Sequence, residues 1–372
     1  MKDINIAKII SDCRRRKGVT QDQLAEYIGV SKASVSKWET GHSYPDITFL
    51  APLATYFNMS IDELMGYSPQ MTKEEIKRLY HRLSRDFSTK PFDEVISQCR
   101  KIIKKYYSCF PLLMQMAVLL CNHHMLAAEP DNQMEILEEA ASLCKRIEDE
   151  SEDMWLARDA VSVEAVCYLM MRRPEKAREL LGEDVRPAPG DDSVIAQSYL
   201  MEGNMAKADR VLQISAYQHL ISLTGSLASL LQLQNEKFEE ILHRIFAVDA
   251  AFELSKLNPN IMAVTYLNAA QGYCMQGNNE KALEILRKYA NLCIKDFFPY
   301  SLHGDSFFSE LGTWFENLDL GNAAPRSEEV IKESIIKSIE ENPVFDSLRG
   351  DAEYLSILRL LRKSFGGKQY EK

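Results

Sequence analysis

The chain has 372 residues, with 46% hydrophobic and 26% charged side chains, which suits two or three folded domains rather than one core. No apolar run approaches the ~18 residues of a membrane span, and Met1 to Asn5 holds no apolar signal core, so membrane partners are excluded and a soluble, cytoplasmic chain is expected. The net charge of −10 is unevenly spread: residues 1–72 carry 8 basic and 8 acidic groups, residues 73–105 carry 10 and 5, and residues 106–372 carry 26 and 41.

The first 66 residues read as five short helices. Thr20 is placed to cap one of them, with Gln23 completing a capping box and Val19 and Leu24 forming a hydrophobic staple. Gly29 stands where a left-handed residue ends that helix. Ser31 caps the next helix, and Ser60 with Glu63 caps the fifth. Two capped helices around a glycine turn are what a helix-turn-helix requires. At about 100° per residue, Val35 and Trp38 share one face of the second helix. Lys32, Ala33, Ser36 and Lys37 share the other. These outward residues are small or basic and none is acidic, so the face suits a major groove ~12 Å wide.

Gly66 to Gln70 is turn-rich. Thr72, with Glu75 as its capping-box partner, then opens a basic helix striped with Ile76, Leu79, Tyr80, Leu83 and Phe87. Its cations suit either DNA flanks or a solvated face. From Phe92 onward the pattern is helix after helix, broken most clearly at Arg186 to Gly190 and Leu320 to Pro325. Strand patterns are almost absent. Tyr168, Ala177 and Leu181 stand at offsets of nine and four, repeated by Tyr199, Ala208 and Leu212 and by Tyr273, Ala282 and Leu286. A turn falls between tyrosine and alanine each time. A small alanine lets two antiparallel helices approach, while the tyrosine and leucine fill the space beside it.

The expected fold is therefore all-α. Its parts are a helix-turn-helix domain over 1–67, a basic linker helix over 68–91, helical repeats over 92–361 and a tail over 362–372. The eight cysteines, Cys13, Cys99, Cys109, Cys121, Cys144, Cys167, Cys274 and Cys293, form no C-x-x-C pair and lie within apolar helical patterns, as free thiols in a reducing compartment would. Cys121, His123 and His124 cluster, but adjacent histidines diverge on a helix, so no metal is expected there. No H-E-x-x-H, phosphate-binding glycine loop or nucleophile elbow is present. Neither a catalytic set nor a cofactor is expected.

Residues 4–66 resemble the Xre, or lambda-repressor-like, family. The likeness is carried by Arg14, Gly18, Thr20 and Gln21 and continues through Leu24, Ala25, Gly29, Val30, Ser31, Val35, Trp38, Glu39, Gly41 and Pro45. It implies that Gln21 anchors a phosphate, that Lys32, Ala33 and Lys37 face bases beside Ser31 and Ser36, and that Arg14 and Glu39 form an internal ion pair. The segment Tyr273 to Leu286 resembles tetratricopeptide repeats, although the family's early tryptophan is missing. The combination is similar to peptide-sensing transcription regulators of Gram-positive bacteria. It implies a homodimer on an inverted-repeat operator, with a short signalling peptide or a partner protein at the repeats. Met170, Met201 and Met275 each follow a repeat tyrosine by two residues. With Gln197, Asn268 and Gln271 nearby, they are the candidate ligand contacts.

Overall fold

The structure, a computed structural model, describes residues 5–67, 70–185, 187, 190–233 and 236–366. Ser68 and Pro69, within the expected turn before the basic helix, lie outside the described residues, as do Arg186, Ala188 and Pro189. The described residues form helices joined by turns and irregular segments, with one isolated antiparallel bridge, Ser301 to Ala323. No described helix is long and apolar enough to cross a membrane. The chain divides into two compact units, one of residues 1–79 and 90–181, the other of 80–89 and 182–372.

The first unit opens with α1 (Ile6–Arg16), α2 (Gln21–Ile28), α3 (Lys32–Glu39), α4 (Ile47–Phe57) and α5 (Ile61–Met65). Their shared core contains Ile6, Ile10, Leu24, Val35, Trp38, Leu53 and Leu64. All three expected capping boxes are formed, at Thr20 with Gln23, at Ser60 with Glu63 and at Thr72 with Glu75. Helix α6 (Lys73–Thr89) follows, then α7 (Phe92–Lys105), α8 (Phe110–His123), α9 (Pro130–Glu150), α10 (Met154–Met170) and α11 (Pro174–Leu181).

The second unit takes the later half of α6. Tyr80, Leu83 and Phe87 are buried there; Ser84 donates to the Pro325 carbonyl at 3.0 Å, and His81 Nε2 lies 2.8 Å from the Leu320 carbonyl. This segment is thus a packed element as well as a connection. The unit continues with α12 (Asp191–Met201), α13 (Met205–Leu230), α14 (Phe238–Phe252), α15 (Leu254–Leu257), α16 (Pro259–Met275), α17 (Asn279–Lys295), α18 (Leu311–Glu316), α19 (Glu328–Glu340) and α20 (Ala352–Phe365).

Two expectations are corrected. Residues 296–327 are mostly irregular rather than helical, with only α18 as a regular helix, and Pro299, Gly304, Gly321 and Pro325 interrupt the segment. Phe308 and Phe315 are buried and meet the Tyr217 ring edge-on at 5.9 and 5.3 Å. At the other end α20 runs past 361 to Phe365, which packs on the core and meets Phe298 at 5.6 Å.

The tyrosine-alanine repeats are three helical hairpins of tetratricopeptide-like form, α10–α11, α12–α13 and α16–α17. Each turns by the same hydrogen bonds. The amide five residues after the tyrosine donates back to the tyrosine carbonyl: Arg173 to Tyr168 at 2.9 Å, Asn204 to Tyr199 at 2.8 Å and Asn278 to Tyr273 at 2.8 Å. This closure needs a left-handed residue one step earlier. Gly203 and Gly277 supply it with φ of 75° and 73°, but the first hairpin uses Arg172 at 57°. Asn204 and Asn278 then cap the second helices, each accepting from a lysine amide at 3.2 Å. The alanines lie in the close contact as expected, with Ala177, Ala208 and Ala282 all buried. The leucines differ. Leu286 is buried in the core of the second unit, whereas Leu181 and Leu212 are exposed.

A left-handed conformation costs a residue with a Cβ about 1 kcal/mol relative to glycine. Arg172→Gly is therefore expected to raise stability by about that amount, and Gly277→Ala to lower it similarly. Nothing lies within 4 Å of a Cβ at 277, so backbone strain alone is tested. Urea denaturation of the full chain checks both signs.

Candidate nucleic-acid interface

Helix α3 is held by its inner face. Val35 is fully buried, and Trp38 is buried with its ring 5.8 Å from Phe49. The turn from α2 is set by Gly29 at φ 79°, where the Gly29 and Val30 amides both donate to the Ala25 carbonyl at 2.9 Å. The Ser31 hydroxyl accepts from the Ser34 amide at 3.2 Å and so starts α3.

The opposite face is open. Ser31, Lys32, Ala33 and Lys37 are exposed and Ser36 is half-buried. Lys32 pairs with Asp22 of α2 at 2.7 Å, a contact that sequence reasoning missed because it crosses the turn. Both side chains are more than 60% exposed, so the pair contributes little and leaves Lys32 ready to exchange partners.

Arg14 and Glu39 pair as expected, Nε to Oε1 at 2.5 Å and Nη2 to Oε2 at 3.0 Å, with side chains only 13% and 5% exposed. Arg14 also donates to the Val19 carbonyl at 2.7 Å. Gln21 enters the same network, its Nε2 donating to Glu39 Oε2 at 2.8 Å. This second contact was not legible in the sequence, where only the position of Gln21 at the start of α2 stands out. Burial pulls the Glu39 carboxyl upward, but the bonds from Arg14 and Gln21 outweigh it and hold its pKa below the usual value of 4.5.

The candidate ligand residues of the repeats fall in both units. Met170 of α10 is 43% exposed, with the Cys121 thiol 3.5 Å from its sulfur. In the second unit Met201 and Met275 are exposed, at 81% and 65%. Gln197 is exposed and Gln271 half-buried. Asn268 does not join a ligand-facing set. It is buried and donates to the Ala228 carbonyl at 3.1 Å, because α16 packs on the end of α13 and that carbonyl needs a donor. His123 and His124 each place Nδ1 2.8 Å from a backbone carbonyl, of Leu119 and Cys121.

Residues 10–64 match the helix-turn-helix family, and this N-terminal domain is a helix-turn-helix domain of the Xre-like kind. The chain is 35% identical over 78 residues to the transcriptional activator BcrR of Enterococcus faecalis, covering 19% of this chain and 38% of BcrR. It is 35% identical over 63 residues to the cryptic phage CTXphi transcriptional repressor RstR of Vibrio cholerae, covering 17% of this chain and 56% of RstR. The chain thus spans well under two thirds of either relative. Among solved structures it aligns with the apo form of the competence regulator ComR from Streptococcus vestibularis at 14% identity, over 85% of this chain and 98% of that one. The TM-score of 0.24 is too low to establish a common fold.

Removing Arg14 would leave the Glu39 carboxylate buried and unpaired, which typically costs 3–5 kcal/mol. Arg14→Ala is expected to speed amide hydrogen exchange throughout α1 to α3 in the full chain while leaving α16 and α17 unchanged. Because the Glu39 pKa is depressed, its stabilisation is full above pH 4.5 and is lost as pH falls through the folded-state value. Protection of α3 should therefore fall on acidification below pH 4.5 in the natural chain, and less steeply in Arg14→Ala.

Proposed function

We propose that this protein is a sequence-specific DNA-binding transcriptional regulator. Helix α3 reads bases in the major groove, and the helical repeats hold a homodimer and sense a short peptide. The observation that carries the DNA reading is the open face of α3, basic and small, on a helix fixed from behind by Trp38 and the Arg14–Glu39 pair. The relatives that share this domain, an activator and a repressor of transcription, support it. Lys32 and Lys37 then donate to base edges and Gln21 positions the phosphate backbone through the start of α2. Lys37→Ala is expected to cost ~1–3 kcal/mol on the true operator and to relax base preference at one position. Electrophoretic titration against operator and random duplexes checks this, since equal losses on both would make Lys37 a phosphate contact only.

A single small reading helix covers few base pairs, and such heads gain specificity by binding two half-sites ~34 Å apart. The dimer reading is supported by apolar side chains left on the surface of α12–α13, with Val194 69%, Met201 81% and Met205 62% exposed. The same residues favour a second reading, in which a partner protein covers them. Light scattering separates the two. The full chain is expected to be dimeric, and Met201→Asp combined with Met205→Asp should make it monomeric and weaken its binding to an inverted repeat. A natural chain that is monomeric by itself would favour the partner protein. Each exposed methionine, Met170 in the first unit or Met275 in the second, suits an adaptable peptide contact.

A further inference from the structure

The first unit contains a cleft of about 720 Å³ lined by α9, α10, α11 and the α10–α11 turn. This falls within the range of small-ligand sites. Most charges around it are already engaged. Arg173 pairs with Glu138 at 2.8 Å, and Lys145 with Glu148 and Asp149 at 2.9 and 3.0 Å. Two atoms are not. Glu164 is only 3% exposed, and its Oε2 has no partner among the described residues. Arg146 stacks its guanidinium over the Tyr107 ring at 3.9 Å and donates to the Tyr107 carbonyl, yet its Nε is buried without an acceptor. Native folds rarely leave a buried carboxylate oxygen unmet. Glu164 and Arg146 both line this cleft, and each keeps one buried polar atom unmet.

We infer that this cleft binds a primary ammonium group of a short peptide, with Glu164 as its acceptor and Arg146 Nε donating to a carbonyl of the same ligand. This rests on the peptide-sensing reading and places a ligand in a cleft whose lining includes none of the exposed methionines. A single free carboxylate oxygen suits the compact, three-donor ammonium better than a guanidinium, whose fork wants two oxygens. The neighbouring Tyr168 ring already has one ammonium, that of Lys176, over it at 5.0 Å, so the surroundings of Glu164 accept such a group. Burial raises the Glu164 pKa, and a bound cation would favour its ionised form.

The test uses the full chain and three mixtures of random-sequence heptapeptides. The first has free amino termini and no lysine or arginine. The second is the same set acetylated at the amino terminus, and the third is acetylated but contains lysine. Retained peptide is measured by mass spectrometry after ultrafiltration. The first or the third mixture should be retained roughly tenfold more than the second, and which of the two it is tells an α-amine from a lysine side chain. Glu164→Gln keeps the shape, removes the charge and should abolish the preference. The comparison on the natural chain stands even if that variant folds poorly. Equal retention of all three mixtures, or an undiminished preference in a folded Glu164→Gln, would overturn the ammonium assignment and leave peptide sensing standing. Retention of none by the natural chain would overturn both.

Discussion

The reading head depends on one guanidinium. Arg14 ends on α1, yet it grips Glu39 at the last position of α3 and the Val19 carbonyl just before α2, while Gln21 of α2 reaches the same carboxylate. A carboxylate at a helix C-terminus opposes the helix dipole, so Glu39 is tolerable only because these donors surround it. In return the network fixes the ends of three helices whose combined core is small. With the rear of α3 so constrained, its outer face can present lysines at constant positions.

The larger part of the chain rests on a different constraint, the repeated hairpin turn. Each tyrosine carbonyl accepts from the amide five residues on, and that geometry demands positive φ at the residue between. Glycine meets the demand without strain in two hairpins, and Arg172 meets it under strain in the first. The same hairpin borders the cleft that holds Glu164. The hairpin whose turn lacks the repeat's glycine thus borders a cleft with two unmet buried polar atoms.

Much of the head was legible because its determinants are local. A capping box, a staple or a left-handed glycine involves residues within one turn of helix, and these were readable at Thr20, Gly29, Ser31 and Ser60. The Arg14–Glu39 pair spans 25 positions and was legible only through likeness to a family. The Gln21 and Asp22 contacts were not, since nothing local distinguishes them from solvated side chains. In the repeats the buried alanines followed from spacing, but the fate of the leucines did not. Leu181 and Leu286 occupy the same register, yet the first is exposed and the second lies in the core of the second unit, where α17 packs on α16 and α20.

The sequence by itself determined that the chain is helical, where its best-capped helices start, and that a basic, acid-free helix face follows a glycine turn. Periodicity and capping are short-range, so one chain suffices to read them. Tertiary structure alone decided that the later half of α6 is buried beside residues 320 and 325, that Phe308 and Phe315 pack on Tyr217, and that Asn268 serves a backbone carbonyl. It alone left Glu164 and Arg146 Nε unmet in one cleft. Each of these depends on which distant groups desolvate one another, and hydrogen-bond satisfaction in a buried place is set by the neighbours that packing brings there.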